Sequence, residues 1–499
     1  MRWYHAWSLG FVLLVHPAHS AEPQGRIVQD IWNAAYLEGS RGGYVNTCIR
    51  EVERDGQKLY HAETRLNLTL KRNGVTIQLR MDTGSQETAQ GEVRTVWMRQ
   101  YQGDQEQLVL KGTVTDGQLA VRVEGKARLE KKIPWDEHVL GLYRQERLFQ
   151  DRHVRPGDQL SYLSYEPGIN RVVTNRVTVK ESEVVEVFNQ PKRLLRVETV
   201  PDKIAGVQLP SLIAWLDKDL QPVRSEFEIP QLGKLVLYRC SKGEALRPST
   251  AKTDIGETSL IRINRAIDRP NETRSAVYRI TVKGDDDPAT TFVQDNRQEC
   301  KNLHGSTFEL HVHAQQPPLV APTPVRAKEE FLKSCHWIDS DDPKIRAYAR
   351  AAVGQRTDPW ERAKAIERWV HDNMHLSYAE SFAPASEVAR TLRGDCRQYG
   401  LLATAMCRAA EVPARTAIGL CYAYDRAQGP VMAFHLWTEV LVRGEWIAID
   451  ATRGQGYVGA THLKITDHSW YDTQSLTPLL PVFRVLGKLT IEVIRVDGA

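Results

Sequence analysis

TLRGDCRQYGLLATAMCRAAEVPAR, residues 391–415, is the stretch on which the rest of the chain turns. A cysteine, Cys396, follows the turn-forming pair Gly394-Asp395. After it, Tyr399, Leu401, Leu402, Ala405, Met406 and Ala409 recur at helical spacing as far as Pro413. Cys396 is therefore expected at a helix N-terminus, where unpaired backbone N–H groups and the positive end of the helix dipole favour thiolate over thiol. The adjacent Arg397 would add to that field.

Downstream, AFHLWTEVLVRGEWIAIDAT, residues 433–452, reads as two β runs joined at Arg443-Gly444. A two-residue turn pairs Val442 with Glu445, sets His435 opposite Thr452, and leaves Asp450 diagonally across on the same face. An odd loop would send Asp450 to the other face. Cysteine at a helix start, with histidine and aspartate on neighbouring strands, supplies a nucleophile, a general base and a group to orient the base.

In order, GDC, an alanine- and leucine-rich helix, VPAR, HLWTEV, GEW and IDAT resemble the transglutaminase-like superfamily of papain-type cysteine enzymes. The resemblance covers roughly the last third of the chain. It implies a C-terminal α+β, papain-like domain in which Cys396 is the nucleophile, His435 the base and Asp450 the third member. It also implies attack on an acyl carbon to give a thioester, resolved by water or by an amine. Around this set, the backbone N–H of Cys396 and the hydroxyl of Tyr378 are candidate oxyanion donors. Arg397 and Gln398 are candidate substrate contacts, or an ordinary first helical turn. Trp437 and Trp446 fall on the histidine face, as walls of the site or as core.

The expected substrate is a peptide or protein, with hydrolysis favoured over amine transfer because an exported enzyme works in abundant water. The alternative is a catalytically silent scaffold that binds a protein partner at the cell envelope. The seven cysteines are scattered, with no CxxC and no paired Cys/His spacing, so neither metal nor cofactor is expected. A redox role for Cys396 lacks a resolving cysteine nearby in sequence.

A net charge of +4 over 499 residues, with basic and acidic groups interspersed, gives no reason to expect nucleic-acid binding. The first residues carry Arg2, an apolar run from Trp7 to Val15, then Ala18-His19-Ser20. This is the pattern of a secretory signal over 1–20, which makes the mature chain periplasmic or secreted. No later stretch is apolar enough for a transmembrane helix, since Arg484 and Lys488 interrupt the C-terminal candidate.

The remaining organisation is multidomain. Residues 26–245 alternate in long β runs with turns at Asn73-Gly74, Asp116-Gly117 and Pro156-Gly157, which predicts a large antiparallel sheet. IVQDIWNAAYLEGS (27–40) and DEHVLGLYRQERLF (136–149) are expected helical exceptions. A Cys48–Cys240 disulfide closing this region is one option. A smaller β-rich unit follows at 255–313, whose Asp285-Asp286-Asp287 is a solvated turn in preference to a calcium site. A proline-rich linker spans 314–327, and the catalytic domain runs over 328–499. Asn67 and Asn271 stand in N-x-T sequons.

Overall fold

Arg26–Leu37 is the strand about which the N-terminal half is built. It pairs antiparallel with Ser40–Arg54 on one side and with Gly233–Cys240 on the other. From it two meanders run outward to form one 15-stranded sheet, ending at Glu130–Pro134 on one edge and at the short strand Val139–Leu140 on the other. The computed structural model describes residues 25–498 apart from 55, 104, 125–129, 230–232, 320–326, 472 and 474. The expected signal at 1–20 and residues 320–326 of the expected linker thus lie outside the described residues. Among the described residues, no helix is long and apolar enough to cross a membrane.

Residues 27–40, expected as a helix, are mostly strand. Ile31, Ala34, Ala35 and Leu37 are spaced well enough for either structure. What decides is pairing with Gly233–Cys240, about 200 residues away, which satisfies one backbone edge of the segment while Ser40–Arg54 satisfies the other. Of the second expected helix, 136–149, only the part from Leu142 onward is helical, within Leu142–Asp151, while Val139–Leu140 is an edge strand paired with Gln159–Glu166. Cys48 and Cys240 lie opposite Asp30 and Trp32 on the two sides of the central strand. Two interstrand spacings, roughly 9–10 Å, separate them, too far for a disulfide. Among the described residues, no disulfide joins any of the seven cysteines.

The segment 255–313 does not close on itself. Its sheet has the order Gln298–His304, Thr307–His313, Ser275–Val282, Leu489–Asp497, so the last strand of the chain forms one edge. Ile261–Arg262 joins the sheet of the C-terminal region. One core, with Tyr278, Ile280 and Phe308 on one side and Leu420, Met432 and Leu463 on the other, binds the two regions together. Lys464, fully buried, ties them electrostatically through Asp295, Glu439 and Asp467. The acidic turn is taken up by cations: Arg484 forks onto Asp285, and Lys203 reaches Asp286.

In the C-terminal region Asp358 caps the helix Pro359–Asn373, whose Ala363, Ile366 and Val370 are fully buried. This helix and Pro343–Val353 pack on the helix Cys396–Ala409. The latter lies against the strand Gly429–Val442 at Gly400, where a methyl group would run into Leu436. The Gly400 carbonyl accepts hydrogen bonds from Thr404 and Thr438, which fixes the register of helix on sheet.

Candidate active site

Cys396 is the first residue of its helix, and Asp395 is the N-cap. The cap is reciprocal: Asp395 Oδ1 accepts from the Arg397 N–H, and Gln398 Oε1 accepts from the Asp395 N–H, both at 3.1 Å. The Arg397 N–H is taken by this cap, while the Cys396 N–H, at the first helical position, precedes any intrahelical acceptor. Cys396 is half-buried and opens on a cleft of about 730 Å³.

Across the cleft, the hairpin has the two-residue turn: Val442 pairs with Glu445 and Thr438 with Ile449. Asp450 follows directly, and its Oδ2 accepts a hydrogen bond from His435 Nε2 at 2.8 Å. His435 lines the same cleft as Cys396. Asp450 is fully buried. Burial pushes its carboxyl up, but the His435 charge and the hydrogen bonds from His435 and His462 outweigh this and hold it well below the ordinary carboxylate range. For His435, burial favours the neutral ring. The negative charges of Cys421, Asp450 and Cys396 overcome it and raise the imidazole well above its usual value.

Of the other expected residues, Tyr378 lines the cleft beside Cys396, its phenol pushed up by burial and by Asp395 and Cys396. Arg397 also borders the cleft, yet its guanidinium is forked on Asp395 and donates to the Glu380 carbonyl. It is therefore a brace for the cap rather than a free substrate contact. Gln398 departs from expectation altogether. It is buried, and its amide is used on the cap and on the Ser381 carbonyl. Trp437 does not wall the cleft. It is buried in a small core with Ala417, Ala448 and Val458, stacked 6.2 Å from the His435 ring. Trp446 shares the face but sits at the far end of the hairpin, against Phe331 and under Arg415.

Three residues at the site escape the sequence reading. Cys421 lies two positions along the strand Ala414–Asp425 from Gly419, which pairs with His435, so both side chains share a face. His462, on the strand His462–His468, gives Asp450 Oδ2 a second hydrogen bond at 3.1 Å. Arg453 donates to Cys421 Sγ at 3.3 Å and to the Tyr422 carbonyl at 2.7 Å. Burial raises the Cys421 thiol, but His435 and Arg453 bring it below the usual value. The DRAQG turn at 425–429 could have placed Cys421, because pairing the strands across it fixes the face. His462 could not be found that way, since nothing local says which strand its segment joins.

The N-terminal sheet also reaches the site. Asn73 and Gly74, both at positive φ, make the hairpin turn after Gln57–Arg72. At the end of that strand, Arg72 borders the cleft and pairs with Asp395 at 3.0 Å.

The sequence profile of the transglutaminase-like superfamily matches residues 346–451. Among curated proteins, kyphoscoliosis peptidase of Mus musculus is 31% identical over 118 residues, and that of Homo sapiens 30% identical over 116. Each match covers 21% of this chain and 17% of the relative, so the chain spans less than a fifth of those proteins. Among solved structures, a protein proposed to be a cysteine protease from Cytophaga hutchinsonii aligns with TM-score 0.30 and 16% identity, covering 46% of this chain and 86% of that one. A β-barrel-like protein of unknown function from Brucella abortus aligns with TM-score 0.33 and 12% identity, covering 44% and 98%. The C-terminal third of this chain, over residues 346–451, carries a transglutaminase-like domain.

Proposed function

We propose that the protein is an exported cysteine-dependent hydrolase that cleaves peptide or protein amides through a thioester acyl-enzyme. The observation that carries this is the 2.8 Å bond from His435 to the buried Asp450, in the cleft onto which Cys396 opens from a helix start. Because Nε2 of His435 is held by Asp450, Nδ1 is the nitrogen left to take the thiol proton. The sulfur then attacks the carbonyl carbon. The oxyanion is met by the Cys396 N–H and the Tyr378 hydroxyl, and the imidazolium returns the proton to the departing amine. Water, deprotonated by the same ring, releases the acid from the thioester.

Two features support the choice of substrate and acceptor. The cleft is flanked by Leu376, Tyr424 and Phe483, which are large, apolar or aromatic, and exposed. This suits an extended peptide with apolar side chains. Cys396 is itself only half-buried, so water has access to a thioester formed there, which favours hydrolysis over amine transfer. Export is supported by the pattern of residues 1–20.

The test is to incubate the full chain with an unfolded protein, with and without a fluorescent primary amine, and map products by mass spectrometry. New carboxyl termini that vanish in Cys396→Ala are expected. Amine incorporation without cleavage would replace hydrolysis by transfer. Neither product would leave the silent scaffold as the better account, and cleavage surviving in Cys396→Ala would take the role of nucleophile away from Cys396.

A further inference from the structure

Beneath the cleft, donors that amide cleavage leaves wholly or partly unused converge. Cys421 lies opposite His462 across one strand boundary and diagonal to His435 across the other. Its sulfur and a ring nitrogen of each histidine lie within 4.8 Å of one another, and all three residues are buried. Asp450 orders both rings by accepting from each Nε2 on a single carboxylate oxygen. An ionised carboxylate only accepts, so each Nε2 carries a hydrogen and Nδ1 is the position each ring can offer a metal, as a lone pair on His462 and, on the raised imidazole of His435, once its proton has left. For His462 that Nδ1 is buried and has no hydrogen-bond partner among the described residues, an acceptor without a donor there.

We propose that Cys421, His435 and His462 form a binding site for one zinc-type divalent ion, with Asp450 as the carboxylate behind both imidazoles. One thiolate and two imidazoles are donors that zinc takes, and three protein ligands leave a fourth position for water. A carboxylate behind a ligating imidazole fixes its tautomer and orientation, which is the part Asp450 already plays for both rings. Binding displaces the one proton that the Cys421 sulfur and the Nδ1 of His435 hold between them, forms the sulfur–metal and nitrogen–metal bonds in its place, and releases that proton to solvent. The ion must also displace Arg453 from the sulfur. The guanidinium keeps its second contact, the Tyr422 carbonyl, and its charge weakens the ion's hold. The site is thus reversible rather than structural. Since His435 is shared, an ion there takes the lone pair needed to deprotonate the nucleophile. This inhibitory consequence rests on the function proposed above, whereas the binding itself does not.

The test uses the full chain, its Cys396→Ala variant, and cobalt(II) as the spectroscopic probe, with zinc measured by competition against a chromophoric chelator. One equivalent of cobalt should give a sulfur-to-metal charge-transfer band in both proteins. Cys421→Ser and His462→Gln should each lower affinity at least tenfold, and Arg453→Gln should raise it. An unchanged affinity in both Cys421→Ser and His462→Gln would overturn the site. So would loss of the band in Cys396→Ala, which would put the ion on the nucleophile. Metal bound by a chain that cleaves no amide leaves the site standing and removes the hydrolase. Cleavage by a chain that binds no metal does the reverse.

Discussion

Arg72, on the N-terminal sheet, lies 3.0 Å from Oδ2 of Asp395, the cap of the helix that begins at Cys396. The same guanidinium donates to the Glu380 carbonyl, where Arg397 also binds. The large sheet thereby braces the residue next to the nucleophile. Arg72→Met is expected to lower kcat/KM five- to tenfold, mostly in kcat. It should cost about 1–2 kcal/mol of stability, less than a fully buried pair because Arg397 still holds the carboxylate. Steady-state kinetics and denaturant titration check both parts.

Asp450 binds two imidazoles, and only one of them belongs to the proposed catalytic set. Asp450→Ala is expected to reduce kcat by about 10³-fold, because His435 loses both its orientation and its counter-charge. Asp450→Asn should lose less, since an amide oxygen can still accept one hydrogen bond from the ring. His462→Gln should cost under tenfold. Equal losses in all three would mean that the aspartate acts through the fold and not through His435.

Glu367 lies nearly fully buried in the helix Pro359–Asn373, and its Oε1 has no hydrogen-bond partner among the described residues. Burial, reinforced by the negative charge of Asp450, raises its carboxyl to about 7. Between its unfolded value and this one, the folded state holds a proton that the unfolded chain releases, so stability falls as pH rises through that window. Glu367→Gln removes the effect. It should be close to neutral at pH 4 and stabilising above pH 7, by on the order of 2–3 kcal/mol. Thermal melts of both proteins across pH 4–8 measure the difference, and a gain of the same size at every pH would contradict this reading of Glu367.

Local signals made the core of the site legible. The Gly394-Asp395 turn and the helical spacing after Cys396 anticipated the capped helix. The Arg443-Gly444 turn anticipated a register that brings Asp450 to His435. What stayed hidden depends on contacts distant in sequence. Residues 27–40 are mostly strand because Gly233–Cys240 pairs with them, and the middle sheet borrows Leu489–Asp497 across some 200 positions. Gln398 had the position of a substrate contact, but its amide completes the helix cap. Trp437 was on the right face, yet the site is closed on that side by packing. Cys421 and His462 entered only with the order of the strands.

The most direct test of the Cys396–His435–Asp450 unit is the rate of alkylation of each thiol by iodoacetamide at pH 6, resolved by mass spectrometry, in the native protein and in His435→Gln. The account predicts that Cys396 reacts far faster than the buried Cys407, and that the substitution slows Cys396 at least tenfold while leaving Cys407 unchanged. A Cys396 no faster than Cys407, or one indifferent to the loss of His435, would contradict it.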